Sequence, residues 1–401
     1  MPNAVLAINA GSSSIKFALF DVSTTPRRSL SGTLERIGTG DASLTFAREG
    51  GEDATVEQLG PLDRRSAVHR LSAWLDQRVG LNSIGAIGHR LVHGGPKYGA
   101  PIRISDDVLA ELHRVVSFAP EHLPAALELI EHFGAKTPNL PQVACFDTSF
   151  HWEMPRVAKL LALPRRFEAK GLRRYGFHGL SCTYLMEELR RRVGPRAANG
   201  RVILAHLGNG ASLTAVKDGK SVDTSMGFTP AAGIPMSTRS GDLDPGLMLY
   251  FGETERMSAA EFNAMVNHQS GLLGVSESSS DMRDLLGAER TDPRAADAVN
   301  LFCYQARKFI GAYAAILGGL DVLVFAGGIG EHASPVRARI CEGLEFLGVS
   351  LDAAQNLQNA SLISPAGAGV AVHVIPTNEE VIIAEATGNV LGLPAQPQLK
   401  D

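Results

Sequence analysis

Residues 4–21 read AVLAINAGSSSIKFALFD. Ala4–Ile8 is an apolar run stopped by Asn9, and Ile15–Asp21 mixes apolar with polar or small side chains, so both segments read as strands. Between them lies a small-residue turn, Asn9 to Ser14. Strand, turn, strand is not the strand, turn, helix order of a dinucleotide or Walker-type site. The plan returns near residue 200, where Ile203–Leu207 is a strand, Gly208 to Ser212 a turn, and Leu213–Val216 a second strand. Shifting by 198 residues pairs Leu6 with Leu204, Ala7 with Ala205 and Ser14 with Ser212. The repetition predicts a duplicated α/β chain whose two similar halves face a cleft. A period this long excludes a solenoid.

Outward from these hairpins, Ile84–Val92 is a strand entering the glycine loop GHRLVHGG, and LPQVACFDTSFH is a buried strand ending at Asp147. Helical periodicity covers Ser105–Val116, Pro124–Phe133 and about Leu180–Arg192. The C-terminal half closes with strand Val322–Phe325, the loop AGGIGEHA, a helix from about Ser334, strand Val370–Ile375 and a helix after Pro376-Thr377-Asn378. The most apolar stretch, AYAAILGGLDVLVFAGG, is broken by paired glycines and Asp321, so it reads as helix, turn and buried strand, and no membrane span is expected.

The chain has 401 residues, enough for two or three domains. Hydrophobic residues make up 44 % and charged residues 20 %, a globular balance, and the net charge of −4 argues against a broad nucleic-acid-binding face. The four cysteines, Cys145, Cys182, Cys303 and Cys341, form no CxxC motif and read as buried thiols in a reducing compartment. The N-terminus lacks the basic and apolar regions of a signal peptide. A cytoplasmic enzyme without membrane or nucleic-acid partners is expected.

Three Gly/Ser/Asn turns stand at strand ends: NAGSSS, HLGNGAS and GGIGE. Glycine lets a phosphate approach closely, and backbone N–H groups and hydroxyls donate to its oxygens. One such turn is an ordinary hairpin; three in one α/β chain favour phosphate binding. Gly219-Lys220-Ser221 resembles the end of a P-loop, but the required first glycine falls at Thr214, and AVKDGKSVDTS reads as a hairpin with a D-G turn. His89 and His93 have the spacing of a zinc helix, yet HRLVH lacks the glutamate and runs into Gly94-Gly95-Pro96. Arg90 and Arg239 lie in glycine-rich loop contexts that suit a carboxylate or phosphoryl group. Asn9, Asp147 and Glu379 offer oxygen to a hard divalent ion.

Together the strings INAGSSSIKFALFD, GHRLVHGG, FDTSFH, RRYGFHGLS, HLGNGASL, DTSMGFTP, TRSGDLDPG, SSDMRDL, GGIGEH and PTNEE, in order from residue 8 to 380, resemble the acetate kinase family. The resemblance implies an actin-like (ribonuclease H-like) two-domain fold with an interdomain active-site cleft. It implies an N-terminal acyl-substrate domain, 1–148, with a C-terminal helix of about 382–401 packing back on it, and a nucleotide-binding domain, 149–381. It further implies reversible Mg²⁺-dependent transfer (Mn²⁺ as substitute) of the ATP γ-phosphoryl group to acetate, giving acetyl phosphate and ADP, in a homodimer. Propionate, butyrate or another short carboxylate is the alternative acceptor. A non-enzymatic actin- or Hsp70-like nucleotide module is a further alternative, which the presence of both Arg90 and Arg239 disfavours.

On that resemblance, Arg90 and Arg239 hold the acyl carboxylate and the moving phosphoryl group. His178 bonds phosphoryl oxygens in the transition state, and His122 supports it. Asn9 and Glu379 fall on positions assigned to the metal, and Asp147 is a carboxylate near the metal and acyl substrate. Val92, Phe177 and Pro230 line the acyl pocket. ATP contacts fall on Ser12 and Lys16, on His206, Leu207, Gly208, Asn209 and Gly210, on Asp281, Met282 and Arg283, and on Gly328, Ile329, Gly330, Glu331 and His332. The sequence departs from the family pattern at Glu121 and Leu123, which flank His122 in place of leucine and asparagine, at Ala231-Ala232, and at His332. The expectation is that Glu121 turns away from the acyl pocket.

Overall fold

The computed structural model describes residues 3–11, 13–23, 25–49 and 54–393. Ser12, named above for the first phosphate turn, lies outside them, as does the segment 394–401. The chain divides into two compact units, Met1–Ser149 with Asn378–Asp401, and Phe150–Thr377.

Among the described residues the first unit holds one sheet of β1 (Ala4–Ala10), β2 (Ile15–Asp21), β3 (Arg27–Glu35), β4 (Ala42–Arg48), β5 (Thr55–Gly60), β6 (Ala86–Leu91), β7 (Ile102–Arg103) and β8 (Gln142–Phe146). Their order is β5-β4-β3-β2-β1-β6-β8-β7. β1 to β5 form an antiparallel meander, whereas β1, β6 and β8 run parallel. β1 is central and buried along its whole length, which is why its sequence is almost continuously apolar. On one face Ile15, Phe17, Leu34, Leu44 and Ile87 pack with Leu71, Trp74 and Leu75 of helix Arg64–Arg78 and Leu129 and Phe133 of helix Leu123–Lys136. Each such buried side chain contributes about 1.5–3 kcal/mol. Gly88, the neighbour of Ile87, points to the other face, where helix Glu379–Leu391 packs on β1, β6 and β8. A Cβ there would stand 2.2 Å from Thr387 Oγ1, so glycine sets how closely this helix approaches the sheet.

The second unit holds β9 (Arg201–Leu207), β10 (Ala211–Lys217), β11 (Lys220–Thr224), β12 (Val322–Ala326) and β13 (Ala371–Val374), in the order β11-β10-β9-β12-β13. β9 is antiparallel to β10 and parallel to β12, which is parallel to β13. The order and senses repeat those of β3-β2-β1-β6-β8, so the duplication is a property of the fold. The particular identities that suggested it do not all align. The first hairpin loop spans 11–14 and the second 208–210, so no single shift superimposes both strands. Ser14 sits in its loop, whereas Ser212 lies within β10 opposite His206. Helix Gly179–Ala198 covers β9 and β12 through Cys182, Leu185, Met186 and Leu189 against Val202, Leu204, Val322 and Val324.

The D-G hairpin is as read. Asp218 and Gly219, between β10 and β11, have φ of 52° and 74°, the pair of positive angles of a type I′ turn. The segment read as the loop AGGIGEHA differs: Gly327–His332 is a short helix directly after β12. Its glycines signal close approach rather than a loop. Gly327 has φ 75°, and a Cβ on it would lie 2.6 Å from the Leu207 carbonyl oxygen. Its N–H donates to Glu331 Oε1 at 2.8 Å, which closes the first turn.

Candidate active site

In the first unit, three parallel strands deliver their C-terminal residues to one cluster. Asn9 near the end of β1 is in register with Arg90 near the end of β6, and Asp147 directly follows β8. Arg90 is therefore on a strand, not in a loop as its sequence context suggested. Its Nε and Nη2 grip Asp147 at 3.0 Å to Oδ1 and 2.6 Å to Oδ2, and its Nη1 donates to Asn9 Oδ1 at 2.9 Å. Asn9 Nδ2 donates to Glu379 Oε2 at 2.9 Å. Glu379 opens its helix, whose N-cap Asn378 accepts from the Val381 N–H. Asp147 is 1 % exposed and Arg90 17 %, so the two form a largely buried, two-pronged ion pair. Burial alone would lower the Arg90 pKa, but the charges of Asp147 and Glu379 outweigh it and hold Arg90 firmly cationic. Burial pushes the Asp147 carboxyl upward and Arg90 pulls it back; the contact geometry is that of an ionised pair.

The Mg²⁺ expectation fits this cluster in its donor chemistry. Glu379 is a carboxylate beside a second one, Glu380, at a helix start. Asn9 already uses its amide oxygen on Arg90 and its amide nitrogen on Glu379, so it orients the carboxylate at least as much as it offers a ligand. Among the described residues no group of three or more His, Cys, Asp or Glu forms a protein-only cage. Mg²⁺ ordinarily takes one or two carboxylates and completes its shell with phosphate and water.

In the second unit, His178 caps helix Gly179–Ala198 in the left-handed conformation, φ 59°. Its Nδ1 lies 2.9 Å from Ser212 Oγ on β10. Its ring stacks on His206 of β9, with centroids 4.2 Å apart. His206 Nδ1 is 2.8 Å from Ser181 Oγ, which is 2.8 Å from Thr377 Oγ1. A Cβ placed on Gly210 would lie 3.2 Å from His178 Nε2 and 3.4 Å from Arg239 Nη1. A histidine nitrogen, an arginine nitrogen and the glycine backbone thus converge on one point, an arrangement that suits an anion. Arg239 Nη1 also donates to the Pro230 carbonyl at 3.1 Å. The loop carrying Arg239 is laced to the start of helix Gly271–Ser276, with Ser270 N–H on the Thr238 carbonyl and Leu272 N–H on the Met236 carbonyl. Behind His178, buried His151 donates from Nε2 to the Phe177 carbonyl at 2.9 Å and accepts at Nδ1 from Ser221. Burial holds His151 at a pKa of about 4, so it is neutral at pH 7.

The other sequence-predicted positions spread more widely. Lys16 is exposed on β2, opposite Asn9. Val92 and Phe177 are buried, Pro230 is half-buried, and half-buried His122 is the N-cap of helix Leu123–Lys136. Glu121 is exposed. Leu207, Gly208, Asn209 and Gly210 follow His206 around the β9–β10 turn, where Gly208 N–H donates to the Gly210 carbonyl. Gly328, Ile329 and Gly330 belong to the short helix after β12. Glu331 Oε1 accepts from the N–H groups of Gly327 and Thr377, so this carboxylate braces two strand ends. His332 is largely exposed. Asp281 caps helix Met282–Ala288 and pairs with exposed Arg283, while Met282 is buried in the core.

His89, weighed above as a zinc ligand, lies on β6 and donates to Gln142 at 2.6 Å; burial lowers its pKa to about 4. Sequence reasoning gave no role to Ser181 and Thr377, nor to Arg174, whose Nη1 holds the carbonyls of Thr224, Ser225 and Met226 at 2.9–3.1 Å.

A duplicated α/β scaffold with anion-binding donors at its strand ends is the equipment of a phosphotransferase, and the chain is a kinase. The acetokinase family profile matches residues 4–385, and the chain belongs to that family. An acetate kinase of Methylocella silvestris is 43 % identical over 397 residues, covering 96 % of this chain and 98 % of that one. A propionate kinase of Citrobacter rodentium is 44 % identical over 392 residues, covering 96 % of each. The crystal structure of a propionate kinase from Francisella tularensis superimposes with a TM-score of 0.90 at 38 % identity, covering 97 % of this chain and all of that one. Among the described residues no helix is long and apolar enough to cross a membrane.

Proposed function

We propose that this kinase transfers the γ-phosphoryl group of ATP, as its Mg²⁺ complex, to the carboxylate of acetate, giving acetyl phosphate and ADP, and runs in both directions. The observation that carries the reading is the convergence of His178 Nε2 and Arg239 Nη1 on Gly210. A loose phosphoryl-transfer transition state spreads charge over equatorial oxygens, and fixed cationic and N–H donors stabilise that charge. Bound Mg²⁺ would neutralise phosphate charge, with Glu379 and the Asn9 oxygen as its protein donors. Arg90, kept cationic by Asp147, binds the acceptor carboxylate in the first unit. His206 to Gly210 and Gly328 to His332 bind the nucleotide phosphates in the second. The acceptor is already ionised at pH 7, so no strong general base is required. Val92, two residues beyond Arg90 and buried in the first unit, gives the acid an apolar contact.

Propionate is the second reading, favoured by the propionate kinases among the relatives. Comparing kcat/KM across C2 to C5 acids separates the two; acetate is expected to lead. We further propose a cytoplasmic homodimer. The four buried free thiols suit a reducing compartment, and Leu249 and Tyr250, 66 % and 59 % exposed on one helix, are candidates for the subunit contact.

A further inference from the structure

Arg64 is the first residue of helix Arg64–Arg78, directly after its N-cap Asp63. A cation here opposes the helix dipole, which favours negative charge at an N-terminus. Its neighbour Arg65 is exposed, yet Arg64 is half-buried, and burial lowers its pKa against the pull of Glu128. Its Nη1 donates to the Gly11 carbonyl at 2.6 Å and its Nη2 to the Ala125 carbonyl at 3.4 Å. Withdrawing a guanidinium from water costs free energy that its partners must offset, and two of the partners here are backbone carbonyls.

What it holds is specific. Gly11 belongs to the first small-residue turn, and its own N–H donates to the Ser14 carbonyl at 2.8 Å. With Arg64 on its carbonyl, Gly11 is hydrogen-bonded through both its N–H and its C=O. The Ser13 carbonyl is in turn held by the Ile37 N–H at 3.0 Å. Ala125 lies in the first turn of the helix that His122 caps. Arg64 therefore joins the phosphate-turn candidate to the segment bearing His122. From this we infer that Arg64 is a positioning residue, which locks the Gly11 turn in its anion-receiving shape and adds a fixed positive charge behind it. The inference rests on the reading of that turn as part of the ATP phosphate site.

The test compares Arg64→Met and Arg64→Lys with the unaltered enzyme, and uses Lys16→Ala as the control for the reading of the turn as a phosphate site. Arg64→Met is expected to raise KM for ATP, or lower kcat, by about tenfold, the scale of one charge-assisted hydrogen bond. KM for acetate should stay within about twofold. Its melting temperature should be unchanged or higher, since an apolar isostere replaces a buried cation. Arg64→Lys, which keeps the charge without the fork, should recover part of the loss. Unaltered ATP kinetics in Arg64→Met, or a loss that only follows a fall in melting temperature, would overturn the inference. So would failure of Arg64→Met to fold, which would make the residue structural. If Lys16→Ala left KM for ATP and kcat unaltered, the reading of the turn as a phosphate site would fail instead.

Discussion

At the scale of single residues, Arg90 and Arg239 look alike in sequence and are built differently. Arg239 reaches out of a loop and shares its Nη1 with the Pro230 carbonyl. Arg90 neutralises a carboxylate that is 1 % exposed. Both alanine variants should lose kcat by about 10²-fold or more. Arg90→Ala should also lose on the order of 3 kcal/mol of stability, because it strands the buried Asp147 charge. Arg239→Ala should unfold near the native denaturant midpoint, and equal midpoints for the two variants would contradict the buried pair. Glu121 is exposed, as its predicted turn away from the acyl pocket requires. Glu121→Leu should leave the order of preference among acids unchanged; a switch in preferred acid would assign it to the pocket. The arginines, His178 and the glycines were legible because they stand in long motifs. Ser212, Ser181 and Thr377 stand in the same motifs, but their link to the histidines was not legible, because a hydroxyl shows its partner only when folding brings the two together.

At the scale of elements, the hairpins and parallel strands were legible from apolar runs bounded by small-residue turns. The meander of β3 to β5 was not, because only five of its 22 residues are buried and their mixed pattern has no sharp period. The helix Gly327–His332 escaped because its four-in-six share of Gly and His argues against a helix, and tertiary contact overrides propensity there. Gly271 makes the same point for Arg239. It has φ 59°, and a Cβ on it would stand 2.1 Å from the Met236 carbonyl oxygen. Gly271→Ala should therefore displace the loop 236–239, with a stability loss above about 1 kcal/mol. Its kcat should fall by far more than its folded fraction at assay temperature, measured together by turnover and circular dichroism. Normal turnover would show that this helix start does not position Arg239.

For the whole molecule, burial leaves two histidines neutral well below the usual range, His89 in the first unit and His151 in the second, each at about 4. The unfolded chain takes up these protons near pH 6.5 and the native chain does not. Stability from this source is complete above pH 6.5 and is lost as pH falls from there toward 4, by up to about 1.4 kcal/mol per pH unit per histidine. Urea midpoints at pH 7 and pH 5 should show the fall, and His89→Gln should flatten it; a pH-independent midpoint would refute the buried neutral rings. The duplication was legible as a plan of strand and turn, and only the matched sheet orders show that it extends through five strands of each unit. Activity should vanish in excess EDTA and return with Mg²⁺ or Mn²⁺, because the donors are oxygens. The most direct measurement is acyl hydroxamate formation by the purified protein with MgATP, hydroxylamine and acetate. Acetate-dependent hydroxamate, matched mole for mole by ADP and lost in Arg239→Ala, is the expected result. ADP release without hydroxamate, or undiminished hydroxamate from Arg239→Ala, would contradict phosphoryl transfer to a carboxylate at this site.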